Sequence, residues 1–165
     1  MVETSDALEL QLVTFVLADE EYAVDILQVR EIILLVEITA LPSAPEFIEG
    51  IINLRGKVIP IVDIKKRFHL QSETREEDMR IVILEIAGRT VGIIVDAVKE
   101  VLRLPSDAVE PAPDLASGID EEYIRGVGKL DNRLLILLDI DRLLKKDELH
   151  KLPQGNQIIK PDESE

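Results

Sequence analysis

Two aspartates, Asp63 and Asp139, sit in nearly matching phrases, VIPIVDIKKRF and LLILLDIDRLL. Carboxylates related in this way suggest an acid protease, in which two neighbouring Asp share one proton and activate water. The setting of each points elsewhere. Each follows an apolar strand and precedes a helix-like segment, where a carboxylate accepts hydrogen bonds from exposed amides and favours the positive end of the helix dipole. Capping is the expected role of both, and a small acidic hydrolase using Asp63 and Asp139 is the enzyme alternative.

The other reactive side chains do not assemble. His69 and His150 lie far apart in the sequence and form neither an H-E-x-x-H pair nor a metal cluster, so each is read as a solvated histidine. No G-x-G-x-x-G, G-x-x-x-x-G-K-[ST] or G-x-S-x-G pattern occurs, which removes the common nucleotide sites and the hydrolase elbow. There is no Cys, so neither disulfides nor thiolate metal sites can form. No catalytic residue, metal site or cofactor is expected. The acidic runs ADEEY, REED and GIDEEY read as solvated turns, with a few rim contacts among them.

Arg55 is harder to dismiss. In INLRGKVIPIVDI it stands beside Gly56 between two apolar runs, and a Gly placed so marks a tight hairpin turn. The turn accounts for the glycine but not for the arginine.

The elements that position these residues are mostly strands, and they repeat. Ile48 to Phe68 lies without a gap over Ile124 to Leu144, so that Ile48, Gly50, Leu54, Asp63 and Ile64 fall on Ile124, Gly126, Leu130, Asp139 and Ile140. Phe15 to Ile32 lies over Leu84 to Val101 in the same way, with Val29 and Glu31 falling on Val98 and Glu100. The chain reads as two diverged copies of one unit of about 70 residues, spanning about 12–70 and 80–150 and joined near the polar stretch that begins at Gln71. Strand exchange between the copies is left open. Each unit opens and closes with a hairpin, and the closing strands VIPIV and LLILL are apolar throughout, which implies burial on both faces. Short helices are expected near LQVREII, at APEFIEG after Pro45, and from Asp139 or Asp141 through RLLKKDELHKL, with residues 151–165 as a disordered tail.

Composition narrows the function classes. The 165 residues are 46% apolar but only 3% aromatic and contain no Trp, so the core must be aliphatic. A formal charge of −14 repels nucleic acid and anionic membrane surfaces. No apolar run approaches the roughly 18 residues of a spanning helix, and no signal peptide opens the chain, so direct membrane insertion is not expected and a cytoplasmic location is. In ILQVREIILLV, Val29, Ile32, Ile33 and Val36 follow helical spacing, while Ile26, Leu27, Leu34 and Leu35 add more apolar surface than one face can hide. An exposed aliphatic patch rimmed by Arg and Glu has the character of a partner surface.

The segments EEYAVDILQVREI, LPSAPEFIEGIINLRGKVIPIVDI, VGIIVDAVKEVL, and YIRGVG through LLILLDIDRLL together resemble the CheW family of bacterial chemotaxis coupling proteins. The resemblance runs from Leu12 to Leu144, in family order. It implies a mainly β fold of two SH3-like five-stranded barrels around a shared apolar core, as in the regulatory domain of the CheA histidine kinase. It also implies a non-catalytic adaptor that joins that kinase domain to the cytoplasmic hairpin tip of chemoreceptors and is recruited through these partners to membrane-associated arrays. Carried over residue by residue, Val29, Glu31, Ile32, Leu54, Arg55, Val98 and Val101 are the expected receptor contacts. Gly92, Glu110 and Leu115 are the expected kinase contacts; some relatives carry a basic residue and an aromatic at the last two. A coupling domain of a CheV- or CheA-like protein is the near alternative, against which the length of the chain speaks. A nucleic-acid-binding small barrel is a remoter one, disfavoured by the charge.

Overall fold

A computed structural model describes residues 9–44, 46–71, 73–111 and 123–143. Within them the chain runs β1 (Glu9–Leu17), β2 (Glu20–Asp25), β3 (Val29–Leu34), β4 (Ile48–Leu54), β5 (Lys57–Val62), helix α1 (Ile64–Arg67), β6 (Arg80–Ile86), β7 (Arg89–Val95), β8 (Ala97–Pro105), β9 (Val109–Glu110), β10 (Ile124–Leu130) and β11 (Arg133–Leu138). Short 3-10 turns cover Ile26–Gln28, Glu76–Asp78, Ser106–Ala108 and Ile140–Arg142.

The strands form two sheets, each drawing on both halves of the chain. One has the order β8-β1-β2-β11-β10-β9 and the other β3-β6-β7-β5-β4. The opening hairpin β1–β2 therefore sits with β8 to β11, whereas β6–β7 sits with β3 to β5. Both sheets roll. The outer strands β8 and β9 are joined by only the turn Ser106–Ala108, which requires the two edges of the six-stranded sheet to meet. In the other sheet the chain leaving β3 pairs through Thr39 with Ile51 of β4, at 2.9 Å in both directions.

Repeated sequence produces repeated geometry. Ile48 pairs with Val62 and Gly50 with Ile61 across a bulge; Ile124 pairs with Leu138 and Gly126 with Leu137 across the same bulge. Gly50 and Gly126 also share a purpose. A Cβ on Gly50 would stand 2.6 Å from Ile38 Cγ2 and closer still to the Thr39 carbonyl oxygen, and one on Gly126 would meet Val109 Cγ1 at 2.7 Å and the Glu110 carbonyl oxygen at 2.9 Å. In each sheet the bare backbone lets the closing segment approach.

Three apolar clusters hold the molecule together; the largest also gathers the aromatics Phe15, Tyr22, Phe68 and Tyr123, so the core is not wholly aliphatic as composition suggests. The largest takes Phe15, Tyr22 and Val24 from one sheet and Val82, Leu84, Val91 and Ile93 from the other, so it is the core between the sheets. The second, with Ile52, Ile59, Ile61, Ile81 and Ile83, fills the five-stranded roll, and the third, with Leu12, Ala23, Leu104, Leu135 and Leu137, fills the six-stranded one. Strand β5 buries residues on both its faces, as its unbroken apolar sequence implies.

Two helix expectations fail for a physical reason. The stretch expected to be helical at LQVREII is a 3-10 turn followed by strand β3, and its three-residue spacing comes from a bulge. Val29 opposes Leu84, Arg30 is the extra residue, and Ile32 opposes Val82, so Val29 and Ile32 share a face at a spacing that otherwise signals a helix. Strand β8 repeats the device: Phe15 opposes Val98, Lys99 is extra, and Val13 opposes Val101. After Pro45, Glu46 and Phe47 form a turn and β4 begins at Ile48, where a helix was expected. The C-terminal helix expected from Asp139 begins as the 3-10 turn Ile140–Arg142, and the rest of it, with His150 and the tail, lies outside the described residues.

Candidate functional site

Strands β3 and β8 are outer strands of their sheets and occupy corresponding places in the two copies. Val29 on β3 and Val98 on β8 both pack against the core between the sheets. Ile32 and Val101, three residues further along, are turned the same way but remain exposed, 38% and 58% respectively. Leu27 at 89%, Leu34 and Val36 extend the exposed apolar surface on the β3 side. Large aliphatics left open beside a filled core mark a docking surface more strongly than scattered ones do.

Glu31 lies on the opposite face of β3, at the mouth of the five-stranded roll, beside Leu54 at the end of β4 and Arg55 in the β4–β5 turn. Glu31 opposes Ile83, whose side chain belongs to the second cluster, and Leu54 packs against that cluster. Arg55 pairs with Glu31, with the guanidinium 69% and the carboxylate 32% exposed. Because β3 and β4 are the two outer strands, this pair spans the seam of the roll. The hydrogen bond from Arg55 to Glu31 raises the guanidinium's already high pKa. Arg55 also adopts φ +53° at the first central position of its turn, a left-handed conformation that Asn or Gly ordinarily supplies. Turn geometry alone would not select arginine. The seven expected receptor residues thus divide into an apolar set facing the inter-sheet core and a set at the seam made of the Arg55–Glu31 pair with Leu54 beneath it, the outer strand β3 contributing to both.

The mouth of the other roll carries its own cation. Glu100 is the repeat counterpart of Glu31, and its partner is Arg133, two residues beyond the position that matches Arg55. Arg133 donates from Nε and Nη2 to the two carboxylate oxygens of Glu21 at 3.0 and 2.9 Å, and its Nη1 lies 2.9 Å from Glu100 Oε2. These two acceptors, Glu21 first, raise the pKa of the guanidinium. Two carboxylates occupy Arg133, whereas Arg55 is engaged by one and is the more exposed. Sequence reasoning missed Arg133, although tracing Glu100 as the counterpart of Glu31 and asking which nearby cation answers it would have found the residue.

The expected kinase contacts fare unevenly. Gly92 is buried in the middle of the five-stranded sheet, between Ile61 and Ile83, and a Cβ there would meet Ile61 Cδ1 at 2.7 Å and Ile81 Cγ2 at 2.9 Å. It is a packing glycine with no surface to offer a partner, which corrects its assignment as a contact. Glu110 is exposed on the short edge strand β9 and pairs with Lys129 at 2.8 Å. Leu115 lies outside the described residues.

The aspartates act locally. Asp63 caps α1, accepting from the amides of Lys65 and Lys66 at 3.1 and 3.2 Å. Asp139 occupies the cap position of its 3-10 turn but accepts no capping hydrogen bond there; its carboxylate instead lies 3.4 Å from Arg142 Nε. Among the described residues no group of His, Asp or Glu could hold a metal ion, and no helix is long and apolar enough to cross a membrane.

Residues 11–148 match the family model described as CheW-like domain. The chain belongs to the CheW family. It is 41% identical over 135 residues to chemotaxis protein CheW of Klebsiella aerogenes, covering 82% of this chain and 81% of that one. It is 40% identical over 148 residues to chemotaxis protein CheW of Treponema pallidum, covering 87% of each. Among solved structures, the scaffolding protein TtCheW from Thermoanaerobacter tengcongensis superposes with a TM-score of 0.77 at 42% identity, covering 84% of this chain and 90% of that one. The mainly β fold of two packed, rolled sheets is that of the family.

Proposed function

We propose that this protein is a non-catalytic chemotaxis adaptor that couples chemoreceptors to the CheA histidine kinase. The observation that carries the reading is the exposed aliphatic surface of β3 and β8, laid over the core between the sheets and edged by the Arg55–Glu31 pair. A receptor hairpin tip would dock there as an amphipathic helix, with Val29, Ile32, Val98 and Val101 as apolar anchors. Arg55 keeps donors beyond the one engaged by Glu31, and an arginine fork suits a carboxylate or backbone carbonyls of the helix. Leu54 supports the turn from beneath. The family match and the relatives named CheW support the same reading. They favour it over a CheV-like coupling domain.

The kinase regulatory domain would meet the six-stranded sheet around Glu110 on β9 and Leu115. An outer strand as short as β9, carrying one charge, suits a modest contact that gains strength by repetition in an array. The protein would act in the cytoplasm and reach the membrane only through its partners. The capping role of Asp63 argues against the hydrolase alternative, since that carboxylate is engaged by the amides of Lys65 and Lys66.

The test is calorimetric titration against an isolated receptor tip fragment and, separately, a kinase regulatory domain. Binding to both supports the adaptor. Binding to neither cognate partner would overturn it.

A further inference from the structure

Arg133 joins three strands of the six-stranded sheet. The side chains of Arg133, Leu135 and Leu137 on β11, Glu21 and Ala23 on β2, and Glu100, Leu102 and Leu104 on β8 each recur at every second residue, and the apolar members of all three rows pack in the third cluster. The charged members stand together at one end of that cluster. There the guanidinium takes Glu21 by a two-point fork and Glu100 by a third contact. The Arg133 side chain is 37% exposed, Glu21 19% and Glu100 46%, so water screens the Arg133–Glu21 fork less than it screens the Arg55–Glu31 pair.

Glu100 adjoins the bulge of β8. Its amide donates to the Thr14 hydroxyl at 3.1 Å, and that hydroxyl donates to the Glu100 carbonyl at 3.1 Å, so the residue is held to β1 by its backbone and to β11 by its side chain. On one side of it are Lys99, the extra residue of the bulge, and Val98; on the other is Val101. A bulge interrupts the ladder, and among the described residues β8 pairs with a strand on its β1 side only. We infer that Arg133 is a positioning residue for partner docking: by holding Glu100 against Glu21 it fixes the bulged part of β8, and with it the orientation of Val98 and Val101. The inference rests on the adaptor reading for the partner, but not for the mechanical effect on β8.

The experiment compares wild type with Arg133→Ala and Glu100→Gln by amide hydrogen exchange and by titration with a receptor tip fragment and a kinase regulatory domain. Glu100→Gln leaves the Arg133–Glu21 fork in place and so guards against simple misfolding. Expected in both variants is exchange about two- to fivefold faster at the protected amides of β8, the scale of losing one partly exposed ion pair. Amides of β3 should exchange as in wild type. Tip-fragment affinity should fall several-fold while kinase-domain affinity holds, a split that general destabilisation would not produce. Unchanged β8 exchange in both variants overturns the inference, as does unchanged tip affinity in variants of a wild type that binds. A wild type that fails to bind the tip overturns the adaptor reading instead.

Discussion

Asp96 offers the sharpest energetic test, because one carboxylate ties together parts of both sheets. It is 3% exposed at the crossover between β7 and β8. One oxygen accepts from the Ala18 amide in the β1–β2 turn at 2.9 Å, the other lies 2.8 Å from the Lys65 ammonium on α1, and its own amide donates to the Val16 carbonyl at 2.9 Å. Asp96→Ala removes a charge-assisted hydrogen bond to backbone and takes away the carboxylate facing an ammonium that is only 15% exposed. Breaking a buried pair from one side costs about 3–5 kcal/mol, and the lower end applies because Lys65 keeps some contact with water. About 3 kcal/mol is a large share of the ~5–15 kcal/mol that holds a domain folded. For a chain of this size the melting temperature should drop by roughly 6–12 °C, at about 2–4 °C per kcal/mol. Urea unfolding of wild type, Asp96→Ala, Lys65→Met and the double variant completes a thermodynamic cycle. The double variant should be more stable than the two single losses summed. A loss under about 1 kcal/mol for Asp96→Ala, in the range of ordinary surface substitutions, would refute the reasoning.

Val101→Asp should fold normally, since the side chain is 58% exposed, yet lose measurable affinity for a receptor tip fragment; Val98→Asp is the poorer test because Val98 packs on the core. Gly50→Ala should cost more stability than Gly92→Ala by urea unfolding, because the new methyl meets the Thr39 backbone in the first case and the movable ends of Ile61 and Ile81 in the second. Overpacking of the second kind costs about 1–3 kcal/mol. Tyr22 is fully buried, its hydroxyl has no hydrogen-bond partner among the described residues, and burial, with a smaller effect of Glu20, pushes its pKa to about 12. The folded state thus holds a proton that the unfolded chain releases near pH 10, so the contribution of Tyr22 is intact below pH 10 and is lost as pH rises toward about 12. Ultraviolet titration should show one late-ionising tyrosine that disappears in Tyr22→Phe, a substitution that should leave stability at neutral pH unchanged or raised.

Much of the fold was legible because aliphatic strands, tight turns and a repeat are all local or self-referential signals. Gly50 and Gly126 announced their equivalence in sequence, and both turn out to admit a closing segment. The bulges at Arg30 and Lys99 were not legible, since one extra residue in a strand copies the spacing of a helix. Which face a residue occupies followed the same limit: Glu31 and Ile32 are neighbours in the chain but point to opposite sides of β3, and only the pairing with β6 says which is which. Gly92 was named a contact by the family resemblance alone, and a glycine carries no side chain whose type could have signalled its burial between Ile61 and Ile83. Arg133 escaped because its meaning lies in Glu21 and Glu100, 112 residues away in one case, and such a triad exists only once the sheet has rolled.

In the proposed adaptor, one surface recognises a receptor and Arg55 belongs to it. The most direct measurement is calorimetric titration of wild type and Arg55→Ala against a receptor tip fragment, with a kinase regulatory domain as the parallel titrant. Wild type should bind both, Arg55→Ala should weaken the receptor complex alone, and the melting temperature of the variant should stay at the wild-type value. Equal weakening of both complexes, or unfolding of the variant, would make Arg55 a structural residue and contradict the claim.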